Sequence, residues 1–377
     1  MPDTPHRERQ AGPDWAALDA LPATASGARI WAALGEGGLT ARAYRGGAVG
    51  AGADIDGLGG LLTAVDARFS VAATLSVSVQ LATALPVLAA GAAPAARSAL
   101  ERALAGRATI ALAATDVTAG TDLTALRTQV RIEDDALEVT GGKNWITNAT
   151  TAGHHLVLAR HRPGRHFTHF TWVLVPADAP GVEVTAADSA LFADSGVGHI
   201  TFDGVRVGRD HVLGRVGFGL PLFARHIGTE RLAGAQWAVA LCRRTLRDTH
   251  RHLTARAHGD GTLWDLDSVR QRFALCLLRL RELQALVAES GDSVVAAHDA
   301  TAAATLKAAA GATVSEVLGG CGQLWGAAGF TTGGIQEVRA QAALFGIGGG
   351  ANEVVLDVLA DAAGTLLAEP ALPDVLR

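Results

Sequence analysis

Cysteine occurs only three times in this chain, tyrosine and methionine once each, and aromatic residues make up 5% of it. Cys242, Cys276 and Cys321 have no CxxC spacing. That pattern speaks against a disulfide framework or a zinc site and points to reduced cysteines in a cytosolic protein. Excess positive charge is also lacking: the net charge is -5, which argues against a general nucleic-acid binder. Residues 1–14 contain no apolar stretch of signal-peptide type and read as a frayed tail. No run of about twenty uncharged apolar residues with membrane-like flanks stands out, because the runs around 70–98 and 301–318 are Ala-rich and carry Ser, Thr, Pro or charges. A soluble, cytoplasmic protein is the expectation. What is present is 377 residues, 49% of them hydrophobic, enough for two or three packed layers around a large core.

The hydrophobic period changes twice. From about 15 to 107 apolar residues recur at helical spacing, as in Trp15-Ala-Ala-Leu-Asp-Ala-Leu, with a glycine-rich loop over 46–60. From about 110 to 207 the pattern becomes short alternating runs. They are Gln129-Val-Arg-Ile, Ala136-Leu-Glu-Val, His155-Leu-Val-Leu-Ala, Thr171-Trp-Val-Leu-Val, Gly181-Val-Glu-Val and His199-Ile-Thr-Phe, and Glu133-Asp-Asp135 suits a hairpin turn between the first two. Helical periods return from about 217. The expected division is a tail over 1–14, a helical domain over 15–109, a β domain over 110–215 and a helical bundle over 216–377. Strands segregated from helices give an α+β class and exclude a doubly wound sheet. Gly346-Ile-Gly-Gly-Gly-Ala351 imitates a dinucleotide-binding loop, but the chain after it is too short for a βαβ unit.

Four segments carry a more specific signal: Ala114-Thr-Asp-Val-Thr-Ala-Gly-Thr-Asp122, Gly142-Lys-Asn-Trp-Ile-Thr-Asn148, Phe202-Asp-Gly-Val-Arg-Val207 and Gln323-Leu-Trp-Gly-Ala-Ala-Gly-Phe330. In order and spacing they resemble T-E-P-x-A-G-S-D, G-x-K-x-W-I-T-N, F-x-D-V-x-V-P and Q-x-x-G-G-x-G-F of the acyl-CoA dehydrogenases. The resemblance spans roughly residues 30 to 360. It implies an N-terminal helical domain, a middle antiparallel β-barrel and a C-terminal four-helix bundle. It also implies FAD as cofactor, an acyl-CoA or acyl-carrier-protein substrate, an electron-transfer flavoprotein as possible partner, and a homodimer or homotetramer whose flavin is held by two subunits.

A flavin requires hydrogen-bonding groups along its pyrimidine edge and N5 and a flat apolar wall behind the ring. By resemblance Leu112, Ala114 and Thr115 face that edge, Trp145 backs the ring, Thr147 reaches N5, and Gly120 with Thr121 approaches the cofactor. Gln323, Gly326 and Gly329 take the ADP half across the subunit interface, and Gly350 and Asn352 complete the set. Arg256 takes the place of the pyrophosphate arginine of R-x-x-F-G, although Arg256-Ala-His-Gly259 lacks the Phe and is one residue shorter. Read singly, Trp145 is also a plain strand aromatic, and Thr115 and Thr121 are plain turn residues.

Dehydrogenation of an acyl thioester needs a carboxylate at the α-carbon and donors at the thioester oxygen. In medium- and short-chain members that carboxylate sits in a C-terminal E-G-T motif, where this chain has Gly349. In isovaleryl and long-chain members it precedes an arginine on the first long helix of the C-terminal domain, where this chain has Glu230-Arg231. The resemblance therefore makes Glu230 the base, gives the backbone at Gly349 the thioester oxygen, and puts Arg231 beside the substrate. Taken alone, Glu230 reads as a helix-surface carboxylate.

Asp116 stands for the motif's Glu and Ala351 for its Thr, which fits a specialised member acting on a carrier-bound acyl group. The stretch Arg243 to His258 is densely basic and suits either a solvated helix face or an acidic partner. Its His250, His252 and His258 do not stack on one helix face, so no metal is expected. A flavin monooxygenase on the same fold and a non-catalytic acyl-binding subunit remain the alternatives.

Overall fold

The computed structural model describes residues 14–117 and 120–368, so the tail expected over 1–14 lies, apart from Asp14, outside the described residues. Among the described residues six α-helices form the N-terminal part: α1 (Ala16–Asp19), α2 (Gly27–Glu36), α3 (Ile55–Asp66), α4 (Val71–Val79), α5 (Leu85–Gly91) and α6 (Pro94–Leu104). Local chemistry sets their starts. Asp54 accepts from the Gly57 N–H at the head of α3, and Ser70 from the Ala73 N–H at the head of α4. The run Val71–Gly91 is long and apolar enough to cross a membrane by composition, yet most of it is buried inside the protein. It is a core element.

Between α4 and α5 the chain makes a π turn over Gln80–Ala84. Such turns leave helical carbonyls without their usual donors. Here the Tyr44 hydroxyl donates to the Leu81 carbonyl at 2.8 Å, and the buried Gln80 amide brackets Ile110, accepting from its N–H at 3.0 Å. The irregular turn thereby fixes where the β domain begins.

That domain is an eight-stranded sheet of β1 (Thr109–Ala113), β2 (Gln129–Ile132), β3 (Ala136–Ile146), β4 (Ala152–Arg160), β5 (Phe170–Pro176), β6 (Val182–Ala186), β7 (Gly198–Gly208) and β8 (Val212–Leu213). Its order is β6-β7-β3-β2-β4-β5-β8, with β1 beside β4 and no pairing between β6 and β8 among the described residues. The expectation of a wholly antiparallel domain is corrected at two places. β2 meets β4 in parallel, Gln129 opposite Arg160. β1 also runs parallel to β4, Leu112 opposite Leu156. A parallel pair needs a long connection rather than a hairpin, and the β2–β3 segment supplies it.

Three long helices follow, α7 (Gly219–Ala255), α8 (Asp267–Ala296) and α9 (Ala300–Trp325), with a two-stranded ribbon of β9 (Ala257–His258) and β10 (Gly261–Thr262) between the first two. The short helices α10 (Ile335–Ala342) and α11 (Asn352–Asp361) pack on α9, and α12 (Ala363–Leu366) ends the described chain. The buried Trp172 indole donates to the Gly219 carbonyl at 2.8 Å and pins the start of α7 to the sheet. Farther along α7, Trp237 and Arg244 both donate to the buried Asp66 carboxylate of α3, at 3.0 and 2.9 Å. These two anchors hold the middle of α7 against the N-terminal helices.

Candidate active site

Glu230 lies on that anchored stretch of α7. One of its oxygens accepts from the Thr83 hydroxyl at 2.6 Å, and Thr83 belongs to the π turn. Burial raises its carboxyl above the usual range, partly offset by the Thr83 hydrogen bond and the Arg231 charge. A carboxylate with a raised pKa and one fixed donor suits proton transfer.

The glycine loop folds onto it. A Cβ on Gly349 would stand 3.5 Å from Glu230 Oε1, and one on Gly350 would stand 3.0 Å from Val355 Cγ2. Both residues have positive φ, 73° and 103°, a region that other residues enter only at a cost. Arg231 Nε donates to the Gly349 carbonyl at 3.2 Å, and the Ala351 N–H donates to the Thr121 hydroxyl at 3.3 Å. Lys307, buried on α9, donates to the Phe345 carbonyl at 2.9 Å and to Asn352 Oδ1 at 2.6 Å. Burial lowers its ammonium to about 8, with the Arg231 charge contributing. Among the described residues neither the Gly349 nor the Gly350 N–H has a hydrogen-bond partner. Beside Glu230 is a cavity of about 70 Å3 lined by Leu75 and Val79 of α4, Trp237 of α7, and Leu344, Phe345 and Gly349.

The sheet contributes a second wall. Leu112 is half-buried on β1 and Ala114 is buried just beyond its end. Lys143, fully buried on β3, donates to the carbonyls of Ala114 at 2.9 Å and Leu158 at 2.7 Å. Desolvation lowers its ammonium to about 7, partly countered by Asp116. Trp145 sits at φ 57° with 60% of its area exposed, its ring edge-on to His199 at 5.4 Å. Thr147 opens the turn after β3 and is half-buried, and the following Asn148 donates to the Ser76 carbonyl at 3.2 Å. That bond ties the turn to α4, the helix lining the cavity. Gly120 and Thr121 are exposed.

Two expected contacts are already satisfied inside the chain. The Thr115 hydroxyl donates to the Asn144 carbonyl at 3.1 Å, and the Asn352 carbonyl oxygen is taken by Lys307. Other residues stand apart from Glu230. Arg256 follows the end of α7, 26 positions on and so about 39 Å along the helix. It is near the Gln323–Phe330 turn, because His252 stacks on Trp325 at 4.1 Å and the Trp325 indole donates to Thr249 at 3.0 Å. Gln323 and Gly326 are exposed there, whereas Gly329 is buried against Ile335 and has no room for a Cβ. The basic stretch holds no histidine cluster: His250 packs on Trp264 and His252 on Trp325. Thr83 and Lys307 escape the sequence reading, since each stands in an Ala-rich apolar run with no motif around it.

The acyl-CoA dehydrogenase middle-domain model matches residues 111–205, and the acyl-CoA dehydrogenase C-terminal-domain model matches residues 217–364. The chain belongs to the acyl-CoA dehydrogenase family. It is 29% identical over 245 residues to the acyl-[acyl-carrier-protein] dehydrogenase MbtN of Mycobacterium sp. (strain MCS), covering 62% of this chain and 61% of that protein. The match thus spans about three fifths of the relative's length. Butyryl-CoA dehydrogenase from Megasphaera elsdenii superposes with a TM-score of 0.82 at 20% identity, covering 90% of both chains. PigA in its FAD complex gives a TM-score of 0.83 at 18% identity, with 93% of both chains covered. These superpositions show the acyl-CoA dehydrogenase fold.

Proposed function

We propose that this chain is an FAD-dependent α,β-dehydrogenase of acyl thioesters, with Glu230 as the base. The observation that carries the reading is the convergence of Glu230, the glycine loop and an apolar cavity at one point. The deprotonated Glu230 carboxylate takes the α-proton, while Thr83 holds one of its oxygens. The Gly349 and Gly350 N–H groups, without a partner among the described residues, are left for the thioester oxygen, where enolate charge develops. A main-chain donor does not need a side chain, so glycine suffices at that position.

The residues present suit a flavin. Trp145 is a large ring left uncovered near the end of β3, Thr147 follows it half-buried, and Leu112 is half-buried on β1. When bound, FAD supplies the acceptor for the hydride leaving the β-carbon. Leu112, Ala114, Trp145 and Thr147 would hold the ring; Arg256, Gln323 and Gly326 of a second copy would hold the distant ADP half. Exposed Leu275, Leu277 and Leu278 on α8 support assembly as a homodimer or homotetramer. Either CoA or an acyl-carrier protein would present the acyl group, the relative MbtN favouring the carrier, and an electron-transfer flavoprotein would reoxidise the enzyme.

The test is anaerobic mixing of the purified yellow protein with butyryl thioester. The flavin absorbance is expected to bleach, and Glu230→Gln is expected to slow bleaching by about 10²–10⁴-fold. Undiminished bleaching in the variant would remove Glu230 from the chemistry. A colourless protein that takes up no added flavin would favour a non-catalytic acyl-binding subunit.

A further inference from the structure

Gly234 lies one helical turn beyond Glu230, on the same face of α7. It is one of the residues lining the cavity beside the carboxylate, and a Cβ built on it would meet no atom within 4 Å. Glycine in a helix interior costs about 0.5–1 kcal/mol relative to alanine. Neither a positive φ nor a close backbone approach accounts for it here. The space it leaves opens on the carboxylate.

The walls of that space are stiff. Trp237 is 2% exposed, its indole N–H donates to Asp66 at 3.0 Å, and its ring meets Phe345 at 4.6 Å between centroids. Asp66 is held in turn by Arg244. The cavity measures about 70 Å3. An apolar cavity of about 150 Å3 takes one benzene ring of six carbons, so this one takes about three.

From the volume and from Gly234 we infer that the acyl group is short, with about three carbons beyond the α-carbon, and that the absence of a side chain at Gly234 leaves the room for them. Thioesters of four or five carbons, straight or branched, are the substrate class. The inference rests on the proposed dehydrogenase reading for where the acyl chain lies. It deepens that reading by naming the chain.

Two measurements on the intact flavoprotein test it. The first is calorimetric binding of S-alkyl pantetheine thioethers with three- to ten-carbon chains, which lack the carbonyl and cannot react. The second is anaerobic bleaching by the matching acyl thioesters. Binding is expected to be tightest at four or five carbons and at least about tenfold weaker at eight. Gly234→Val is expected to weaken the five-carbon ligand at least about tenfold more than the three-carbon one. Gly234→Ala, which only adds a methyl to open space in a helix, gives the same trend in a smaller step and guards against misfolding. Eight-carbon ligands binding as well as four-carbon ones, or unchanged discrimination in both variants, overturns the inference. Chain-length discrimination without bleaching by any thioester would strike the dehydrogenase reading and leave the short-chain limit standing.

Discussion

Glu230 and Gly349 are 119 positions apart in sequence, yet Glu230 Oε1 stands 3.5 Å from where a Cβ on Gly349 would be. Two places that could each hold a carboxylate thus share one point in space. Only one of them is filled. A second carboxylate would crowd its like charge against the first, so that one of the pair would stay protonated to higher pH.

The exchange should be partly reversible. Glu230→Ala is expected to lose the bleaching reaction, and adding Gly349→Glu should recover at least about tenfold of it, well short of the parent. Recovery stays partial because a side chain at φ 73° costs about 1–3 kcal/mol. Rapid-mixing bleaching rates for the single and double variants decide this, and no gain in the double variant would mean that the two positions do not address one carbon.

Thr83→Val removes the hydrogen bond that holds the Glu230 pKa down. The base works ionised, so the acid limb of the bleaching pH profile, already displaced upward by burial, should move to higher pH. Thr83→Ser keeps the donor and should keep the parent profile. Identical limbs in Thr83→Val and parent would show that the hydroxyl does not set the base.

Lys143 gives a stability signature. Its folded-state pKa is about 7 against 10.5 for an unperturbed lysine, so between those values the unfolded chain binds more protons. Stability supplied by this group therefore rises with pH from about 7 to 10.5 and is flat below. Denaturant midpoints of the parent relative to Lys143→Met should climb over that window. A constant difference would contradict the buried ammonium.

Trp145 is exposed, so its loss should touch the cofactor more than the fold. Trp145→Ala is expected to shift the melting temperature of the flavin-free protein by no more than about 2 °C. The flavin-to-protein absorbance ratio after gel filtration should drop markedly. Equal flavin retention would remove Trp145 from the ring wall.

Much of this was legible in the residues. The alternating runs coincide with β2 to β7 because period-two burial writes itself into sequence, and Glu133–Asp135 is the turn it looked like. Glu230 and Gly349 could be paired because each fills or vacates a known place. The parallel partner of β1 was not legible, since pairing Leu112 with Leu156 depends on a contact far along the chain. Thr83 was hidden for a different reason. A π turn has no residue signature, and a threonine within Gln80–Ala84 reads as one more semi-polar position in an apolar helix.

That turn also separates two helices in phase. A π turn holds about one residue more than an α turn, so α5 continues from α4 rotated by roughly 100°. Before the shift, Leu75 and Val79 look toward the cavity beside Glu230; after it, Leu85 and Leu88 are sunk in the core. Deleting a single residue from Gln80–Ala84 would make a straighter helix and a blind one, its hydroxyl swung off Glu230 and its core face turned to the wrong side. The surplus residue works as a clutch between a helix that packs and a helix that lines the cavity beside Glu230.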